Sequence, residues 1–260
     1  MRYWNRNLIS TTKRPPTISG TSGIFDLTSH QVYKASDIWP VLTEGLTTDG
    51  LYLHLDAGNS SSYPGSGSTW FDLTSNDLDF ALKNGTAYNS GFDGHFVFDG
   101  SNDHFEISSG WTSFGTDPYT IEAWFRVHTT AQAEAIIATQ GGGSGSFQIG
   151  PNSSQQMTFS GGSGSVASTE GTLNVWKQMV FVREGTGTDQ FKIYVNGSLN
   201  TTGTMSDNHD STLQLRIGRN RNGSLYFDGD IAIIRIYKNK ALNATEVLGN
   251  YNNNKDRYSL

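Results

Sequence analysis

The feature that most constrains the fold is an alternation of apolar and polar residues between positions 95 and 127. Phe96 and Phe98 share one face of a predicted strand, and Phe105 and Ile107 share one face of a second strand. A Gly-Ser-Asn turn separates the two, so the sequence predicts a hairpin. A third predicted strand follows an irregular loop and has its inward side chains at Ile121, Ala123, Phe125 and Val127.

The composition fits many short strands joined by tight turns. The chain has 260 residues, of which 30 are glycine and only 16% are charged. It is long enough to bury a large core without covalent staples. The net charge of −6 argues against a general nucleic-acid-binding protein, because phosphate contacts need clustered Lys and Arg. With no cysteine, a disulfide framework and a thiolate metal site are excluded, and folding in a reducing cytoplasm is expected.

Three further patterns complete the predicted fold. Residues 176–182 are apolar on both faces, which indicates an inner strand. Asn196-Gly197 is the strongest hairpin turn signal in the chain. Asn243 and Glu246 have the spacing of a capping box and predict a short helix to Tyr251, with Val247 and Leu248 packing inward. The predicted fold class is all-β: a two-sheet antiparallel β-sandwich, or jelly roll, with a short C-terminal helix.

Residues 1–45 differ from the rest of the chain because they lack strand or helix periodicity. Basic residues fall in the first fourteen positions, and Pro15-Pro16 forces an extended path. We interpret this segment as an extended arm that anchors the domain of residues 46–260 to a partner; packing against the domain itself is the alternative. The predicted anchoring residues are Tyr3, Trp4, Arg6, Arg14, Tyr33 and Trp39. No apolar signal region or membrane-spanning run is present in the sequence, so neither standard secretion nor membrane insertion is expected.

Several segments together carry a family resemblance. Phe98 to Asp103, followed by Tyr119 to Trp124, resembles the laminin-G-like branch of the concanavalin A-like lectin/glucanase superfamily. Further similar segments lie in the family's order at Leu53 to Asn59, Trp176 to Val182, Ile193 to Gly197 and Phe227 to Tyr237. The resemblance covers roughly residues 50 to 252 and implies a concanavalin A-like jelly roll. It leaves the function open, because function varies widely within the family.

The segment from Ile9 to Pro40 is similar to N-terminal segments of structural proteins of tailed bacteriophages. This resemblance implies a virion protein that is made in the host cytoplasm without a signal peptide. Its implied partners are other virion proteins of the capsid, neck or tail. A symmetric homo-oligomer is the general expectation for such a module.

Three catalytic sequence patterns are missing from the chain. A β-glucan-cleaving member of the superfamily carries Glu-x-Asp-x-(x)-Glu on one strand, and here no Glu is followed two positions later by Asp. The Gly-x-Ser-x-Gly and His-Glu-x-x-His patterns are also missing. We therefore expect a protein that is not an enzyme.

The best candidate for a metal site is the turn that contains Asp99, Asn102 and Asp103. Clustered carboxylate and amide oxygens in a tight loop suit Ca²⁺, which is the one cofactor that the sequence suggests. Asp56, Asn59 or Asp228 could add ligands. The alternative is that these side chains only cap backbone amides of the turn.

Sugar binding commonly uses an exposed aromatic platform beside polar side chains. Residues of this type lie in or near predicted loops, although core packing is the more common use of such residues. The candidate glycan-binding residues are Tyr63, Trp70, Trp111 and Tyr119. A basic cluster of Arg216, Arg219 and Arg221 is interpreted as a charged turn, with an anion or protein contact as the alternative. Residues 207–210 are interpreted as a solvated loop.

Two functional hypotheses follow. The first is a non-enzymatic virion structural protein of a tailed phage, in which the jelly roll decorates the capsid or forms a neck or tail appendage. The alternative is a carbohydrate-binding adhesin that recognises a host surface polysaccharide. A glycan-cleaving enzyme is the weakest reading.

Overall fold

The computed structural model describes residues 45–107, 109–129, 134–141, 143, 145–162 and 164–260. These residues form two antiparallel β-sheets that pack face to face. In chain order the strands are β1 (Leu51–Asp56), β2 (Thr69–Trp70), β3 (Phe80–Lys83), β4 (Ala87–Asn89), β5 (His95–Asp99), β6 (His104–Ile107), β7 (Tyr119–Val127), β8 (Ile137–Thr139), β9 (Gln148–Pro151), β10 (Gln156–Ser160), β11 (Ser165–Gly171), β12 (Lys177–Arg183), β13 (Phe191–Val195), β14 (Ser198–Gly203), β15 (Leu215–Ile217) and β16 (Asp228–Lys238).

The first sheet has the strand order β14-β13-β12-β7-β16-β5-β4, and β1 pairs with the second half of β16. The second sheet has the order β11-β10-β9-β8-β15-β6-β3-β2. The main core lies between the sheets, where the inward faces of both are apolar. The predicted all-β sandwich with two antiparallel sheets is therefore confirmed.

The predicted hairpin around residues 96–107 is wrong in its pairing. β5 belongs to the first sheet and β6 to the second, so the turn between them carries the chain across the edge of the sandwich. Phe96 and Phe105 face each other through the core, with ring centroids 4.7 Å apart. Each strand carries its aromatic side chains on one face. Packing these two faces against each other between the sheets buries more apolar surface than pairing the strands side by side in one sheet.

Three of the other local predictions are confirmed. The inward side chains of β7 lie in the core, and β12 is buried on both faces. Asn196 and Gly197 join β13 to β14 with φ values of 48° and 78°, which is the left-handed pair that a two-residue hairpin turn requires.

The C-terminal helix α1 (Ala244–Asn254) covers the outer face of the first sheet. Its predicted capping box is present: the Asn243 side chain accepts hydrogen bonds from the Thr245 and Glu246 amides, and the Asn243 amide donates to Glu246. The helix runs past the predicted end at Tyr251, and Leu248 is 40% exposed, so its predicted inward position is wrong. Among the described helices, none combines the length and the apolar character needed to cross a bilayer.

Residues 1–44 of the predicted arm lie outside the described residues. The same is true of its six anchoring residues, Tyr3, Trp4, Arg6, Arg14, Tyr33 and Trp39. The anchoring role of this segment stays a prediction.

Candidate functional site

The four aromatic residues predicted to bind glycans are core residues. Trp70 and Tyr119 are fully buried, and Tyr63 and Trp111 are 5% and 8% exposed. The ring of Trp70 lies 4.8 Å from that of Phe96, in the space between the sheets. They do not form an exposed platform, which corrects the prediction. The physical reason is that each ring has a large apolar surface, and burying this surface between the sheets stabilises the fold.

The turn predicted to bind metal is held by its own carboxylates. Asp99 Oδ1 accepts hydrogen bonds from the amides of Ser101 at 2.8 Å and Asn102 at 3.3 Å, which lowers the pKa of Asp99. Asp103 Oδ2 accepts from the Asp99 amide at 3.3 Å, and burial raises the pKa of Asp103. Asp228 lies opposite Asp99 on β16. Within the described residues, no three His, Asp or Glu side chains are arranged to hold a metal ion. Calcium at this turn stays a prediction.

A row of polar side chains crosses the outer face of the second sheet. The strand registers place Ser160 beside Gln148, Gln148 beside Ala138, and Ala138 beside Arg216. Arg216 in turn lies beside Glu106 on β6. These positions alternate with core residues such as Met157, Phe159, Ile149 and Ile217, so the row points away from the core.

A tight loop of residues 219–225 lies beside this row. The Asn220 side chain accepts hydrogen bonds from the amides of Ser224 at 2.9 Å and Leu225 at 3.2 Å. The guanidinium of Arg219 donates to the carbonyl oxygen of Gly223, and the amide of Arg221 donates to Gln148 on β9. The loop is thus fixed to the sheet by hydrogen bonds rather than left free, so the surface that it presents is preorganised.

Two cavities flank the loop, and Arg221 and Asn222 line both. The first has a volume of about 340 Å³, and its wall is formed by amide, hydroxyl and backbone groups of β9, β10 and the loop. The second has a volume of about 320 Å³ and is lined by Gln140, Gly141, Arg216, Arg219, Arg221, Asn222 and Gly223. We call the two cavities and the wall that joins them the second-sheet groove.

Two polar atoms at the groove have no hydrogen-bond partner among the described residues. Thr158 of β10 lines the first cavity, and its Oγ1 is buried. Arg216 Nε lies 3.2 Å from Glu106 Oε1, yet it lacks the alignment of a hydrogen bond. Buried polar groups are normally satisfied, so each of these atoms has bonding capacity that the fold does not use.

The sequence indicated only some of the residues that form this groove. The arginine cluster was visible, but it was interpreted as a charged turn. The amides and hydroxyls of β9 and β10 were missed, although Gln156, Thr158 and Ser160 alternate with buried Met157 and Phe159. Alternation gives the direction of each side chain, whereas the neighbours across the sheet depend on strand order.

The segment predicted as a solvated loop, residues 207–210, is partly buried, which corrects that prediction. His209 is 1% exposed, and its Nδ1 lies 3.0 Å from the Tyr119 hydroxyl and 3.1 Å from Arg183 Nη1. Burial and then the charge of Arg183 lower the pKa of His209 to about 4. This cluster is enclosed between the sheets and is a structural element of the core.

The buried carboxylates of the described residues that lie on the sheets are bound to other side chains. Glu122 accepts hydrogen bonds from Trp124, Gln178 and Arg235 through Oε1 and from Asn250 through Oε2. The other buried carboxylate of this kind, Asp230, is bound by Arg126 and His128. Their contacts hold strands and the C-terminal helix together.

Comparisons with solved structures identify the same architecture in domains of larger proteins. A Trypanosoma rangeli sialidase matches with a TM-score of 0.58 and 16% identity, over 79% of this chain and 33% of that chain. The binding domain of Paraclostridial Mosquitocidal Protein 1 matches with a TM-score of 0.59 and 16% identity, over 76% of this chain and 51% of the other. This chain thus spans a third to a half of those two structures.

A third match has nearly the size of the domain described here. Domain 4 of AbnA, a GH43 extracellular arabinanase from Geobacillus stearothermophilus in complex with arabinotriose, matches with a TM-score of 0.58 and 18% identity, over 76% of this chain and 96% of that domain. At this level of identity the likeness establishes the fold alone.

Comparisons of the sequence identify the family. No curated protein matches the chain significantly. The family model Laminin_G_3, described as concanavalin A-like lectin/glucanases superfamily, matches residues 99–248, which is more than half of the chain. That range contains β6 to β16 and all lining residues of the groove described above. The chain therefore belongs to the laminin-G-like branch of the concanavalin A-like lectin/glucanase superfamily.

Proposed function

We propose that this protein binds glycans through the second-sheet groove. The observation that carries the proposal is the row of Ser160, Gln148, Arg216 and Glu106 on the second sheet, with Ala138 between Gln148 and Arg216. It lies next to two cavities whose lining residues have amide, hydroxyl and guanidinium side chains. Sugar hydroxyls both donate and accept hydrogen bonds, and side-chain amides and hydroxyls offer both functions. A ligand site typically has a preformed concave surface with a small number of polar groups that point towards the ligand.

The comparisons agree with a binding role without assigning a ligand. One structural neighbour is a domain of an arabinanase in complex with arabinotriose, and another is the binding domain of a mosquitocidal protein. Because their identity to this chain is low, the proposal rests on the groove residues and not on those proteins' ligands. The groove lacks an aromatic floor among its lining residues, so we expect recognition to depend on hydrogen bonds and to be selective for hydroxyl arrangement.

Thr158 provides a clean test. Thr158 lines the first cavity, and its Oγ1 has no hydrogen-bond partner within the described residues, so Thr158→Val makes the cavity wall less polar without breaking a structural contact. On a glycan array, we expect the wild type to bind a defined set of oligosaccharides and Thr158→Val to bind them at least threefold more weakly, with an unchanged melting temperature. Thr202→Val, at an exposed position of β14 in the other sheet, is the matched control. No binding to any glycan at millimolar concentration would overturn the proposal.

We propose further that the protein acts by binding and not by catalysis. Glu122 and Asp230 serve as structural partners of other side chains, and the sequence lacks the paired-carboxylate motif of the family's hydrolases. The check is a reducing-sugar assay with the glycans that bind on the array. Release of sugar above the level of a buffer control would overturn this part of the proposal.

The place of action that we propose is the surface of a phage particle, with residues 1–45 fastening the domain to capsid, neck or tail proteins. Its support is the composition of that segment and its resemblance to phage proteins; the family match and the structural neighbours add nothing to it. Deletion of residues 1–45 is expected to release the domain from purified particles. Gold-labelled antibody against residues 51–252 then separates a head location from a tail location, and absence of label from particles would end this proposal.

A further inference from the structure

We propose that the second cavity of the groove is a subsite for the acidic group of a sugar, a carboxylate or a sulfate, bound by Arg216, Arg219 and Arg221. This inference rests on the proposed glycan-binding function and names the class of sugar that the groove selects. Three arginine residues line one cavity of about 320 Å³, and neither an acidic residue nor a lysine is among its lining residues.

The charges around this cavity are only partly compensated. Glu106 is the carboxylate next to the cluster, with its Oε1 at 3.2 Å from Arg216 Nε and 3.6 Å from Arg219 Nη1. Burial lowers the pKa of His104, which lies 3.4 Å from the same Glu106, so this ring is neutral at pH 7. Two guanidinium charges therefore share one carboxylate, and Arg221 adds a third positive charge to the lining of the cavity, in a protein whose net charge is −6.

Arg216 shows the effect of this excess most directly. Its side chain is 8% exposed, and its pKa is lowered by burial first and by the charge of Arg219 second. A buried cation next to a like charge is unfavourable unless an anion compensates it. Its Nε pairs with Glu106 Oε1 at 3.2 Å, whereas its Nη1 lies near Gly223, which lines the cavity. A bound oxyanion would add the opposite charge that the arginine cluster still lacks.

The other two arginines are already oriented by the fold. Arg219 donates to the Gly223 carbonyl oxygen and lies over the ring of Tyr226, with its Cζ 5.3 Å from the ring centroid. Arg221 Nη1 donates to the Gly161 carbonyl oxygen at 3.0 Å. A guanidinium that is fixed in this way loses little side-chain entropy when it binds, and its remaining N–H groups suit the planar oxygens of a carboxylate.

The loop keeps the cavity open by having glycine at position 223. A Cβ atom there would lie 3.0 Å from Arg219 Nη2 and 3.4 Å from Arg216 Nη1, between the two guanidinium groups. Since Arg221 and Asn222 line both cavities, an acidic sugar in the second cavity can extend its neighbouring residues into the first. The arrangement predicts an acidic residue within a longer, mostly neutral glycan.

The test compares three sugars that differ only in the group at C6: methyl β-glucuronide, methyl β-glucoside and methyl β-glucoside 6-sulfate. Each is titrated into the full-length chain at 0.15 M NaCl, and the arginine Nε–Hε signals are followed by NMR. We expect the glucuronide or the sulfate to shift the Arg216 and Arg219 signals with an affinity at least tenfold above that of the glucoside, a difference of about 1.4 kcal/mol. Sodium acetate at the same concentration separates a sugar site from a general anion site.

Substitutions of the arginines test whether the NMR shifts come from binding at Arg216, Arg219 and Arg221. Arg221→Gln is expected to reduce the preference for the acidic sugar at least fivefold, whereas Arg221→Lys, which keeps the charge but loses the planar fork, retains part of it. Lys192→Gln on the opposite sheet removes a charge of the same sign and is expected to have no effect. Melting temperatures show whether each variant is folded, and Arg219→Gln serves as a second variant if Arg221→Gln is not.

The outcomes separate the two proposals. Equal binding of glucuronide, sulfate and glucoside would overturn the acidic subsite and leave glycan binding intact. Equal shifts with acetate would reduce the site to general anion binding and would also overturn it. Absence of any shift, together with an empty glycan array, would overturn both this inference and the proposed function.

Discussion

Arg219 donates two hydrogen bonds to the carbonyl oxygen of Gly223, from Nε at 3.2 Å and from Nη2 at 2.8 Å. This contact closes the loop beside the polar row of the second sheet and sets the direction of the Arg219 side chain. The shape of the second-sheet groove therefore depends on a four-residue spacing within one loop. A side chain that forms the candidate site also holds the loop that presents it.

Replacing Gly223 with alanine is expected to damage both the loop and the groove. The residue has a φ of 76°, where an L side chain costs about 1–2 kcal/mol, and its Cβ would meet the guanidinium of Arg219. We expect a loss of unfolding free energy of this size and weaker glycan binding. Urea denaturation and the glycan array measure the two effects. The control is Gly171→Ala, whose added Cβ meets atoms only at 3.8 Å or more; similar behaviour of the two variants would contradict the argument.

Stability should fall as the pH is lowered from 6.5 towards 4. Burial is the main cause that lowers the pKa of His209 and of His54 to about 4. The unfolded chain takes up these protons near pH 6.5 and the folded chain does not, so stability is complete above pH 6.5 and is lost below it. Between pH 7 and pH 5 the expected loss is about 2 kcal/mol for each buried histidine.

The measurement is the urea midpoint at pH 7 and pH 5. Arg183 can only donate to His209 Nδ1, so the neutral ring accepts there, and Gln supplies an acceptor oxygen without a titrating group. His209→Gln is expected to lose part of the pH dependence. A midpoint that does not change between the two pH values would show that these rings already carry a proton in the folded protein.

Removal of the helix cap should destabilise the domain. The Asn243 side chain accepts from two amides of the first turn of α1, and its loss in Asn243→Ala is expected to cost about 1 kcal/mol. The effect extends to the sheet, because α1 carries Asn250, whose amide donates to buried Glu122 at 2.8 Å. Denaturation with urea measures the change. Asn253→Ala, at an exposed position of the same helix, should leave the midpoint unchanged, and an equal loss in both variants would argue against the cap.

Calcium binding at Asp99, Asn102 and Asp103 is a prediction that chelation tests. If Ca²⁺ is bound at this turn, EDTA lowers the melting temperature and added Ca²⁺ restores it, because a ligand that binds only the folded state stabilises it. Asp99→Asn should then remove the difference between the two conditions. An identical melting curve with EDTA and with Ca²⁺ would mean that the carboxylates serve the turn amides alone.

The local elements were predictable because their signals lie within a few residues. The Asn196-Gly197 turn needs two left-handed residues, and the Asn243 cap needs an acceptor three positions before Glu246; both requirements are visible in the sequence. The inward face of β7 follows from alternation alone. The family resemblance, carried by several such segments in order, was sufficient for the fold class.

The candidate site was not predictable in the same way. The four aromatic residues predicted to bind sugar lie near loops in the sequence. In the folded protein they are buried in the core, because removing apolar surface from water is favourable. Phe96 and Phe105 do lie on two strands, as predicted, but these strands do not pair with each other. β5 pairs with β4 and β16, and β6 pairs with β3 and β15, so each has one partner more than a hundred residues further along the chain.

The sequence by itself therefore determined the inward face of β7, the Asn196-Gly197 turn, the helix cap and the family. The tertiary structure alone decided which strands are neighbours, and with that which side chains meet. Ser160, Gln148 and Arg216 lie in one row only because β10, β9, β8 and β15 are adjacent in the second sheet. Alternation along a strand is a local property of the backbone, whereas the pairing of distant strands is set by burial of the whole core, so the groove appears only after the sandwich closes.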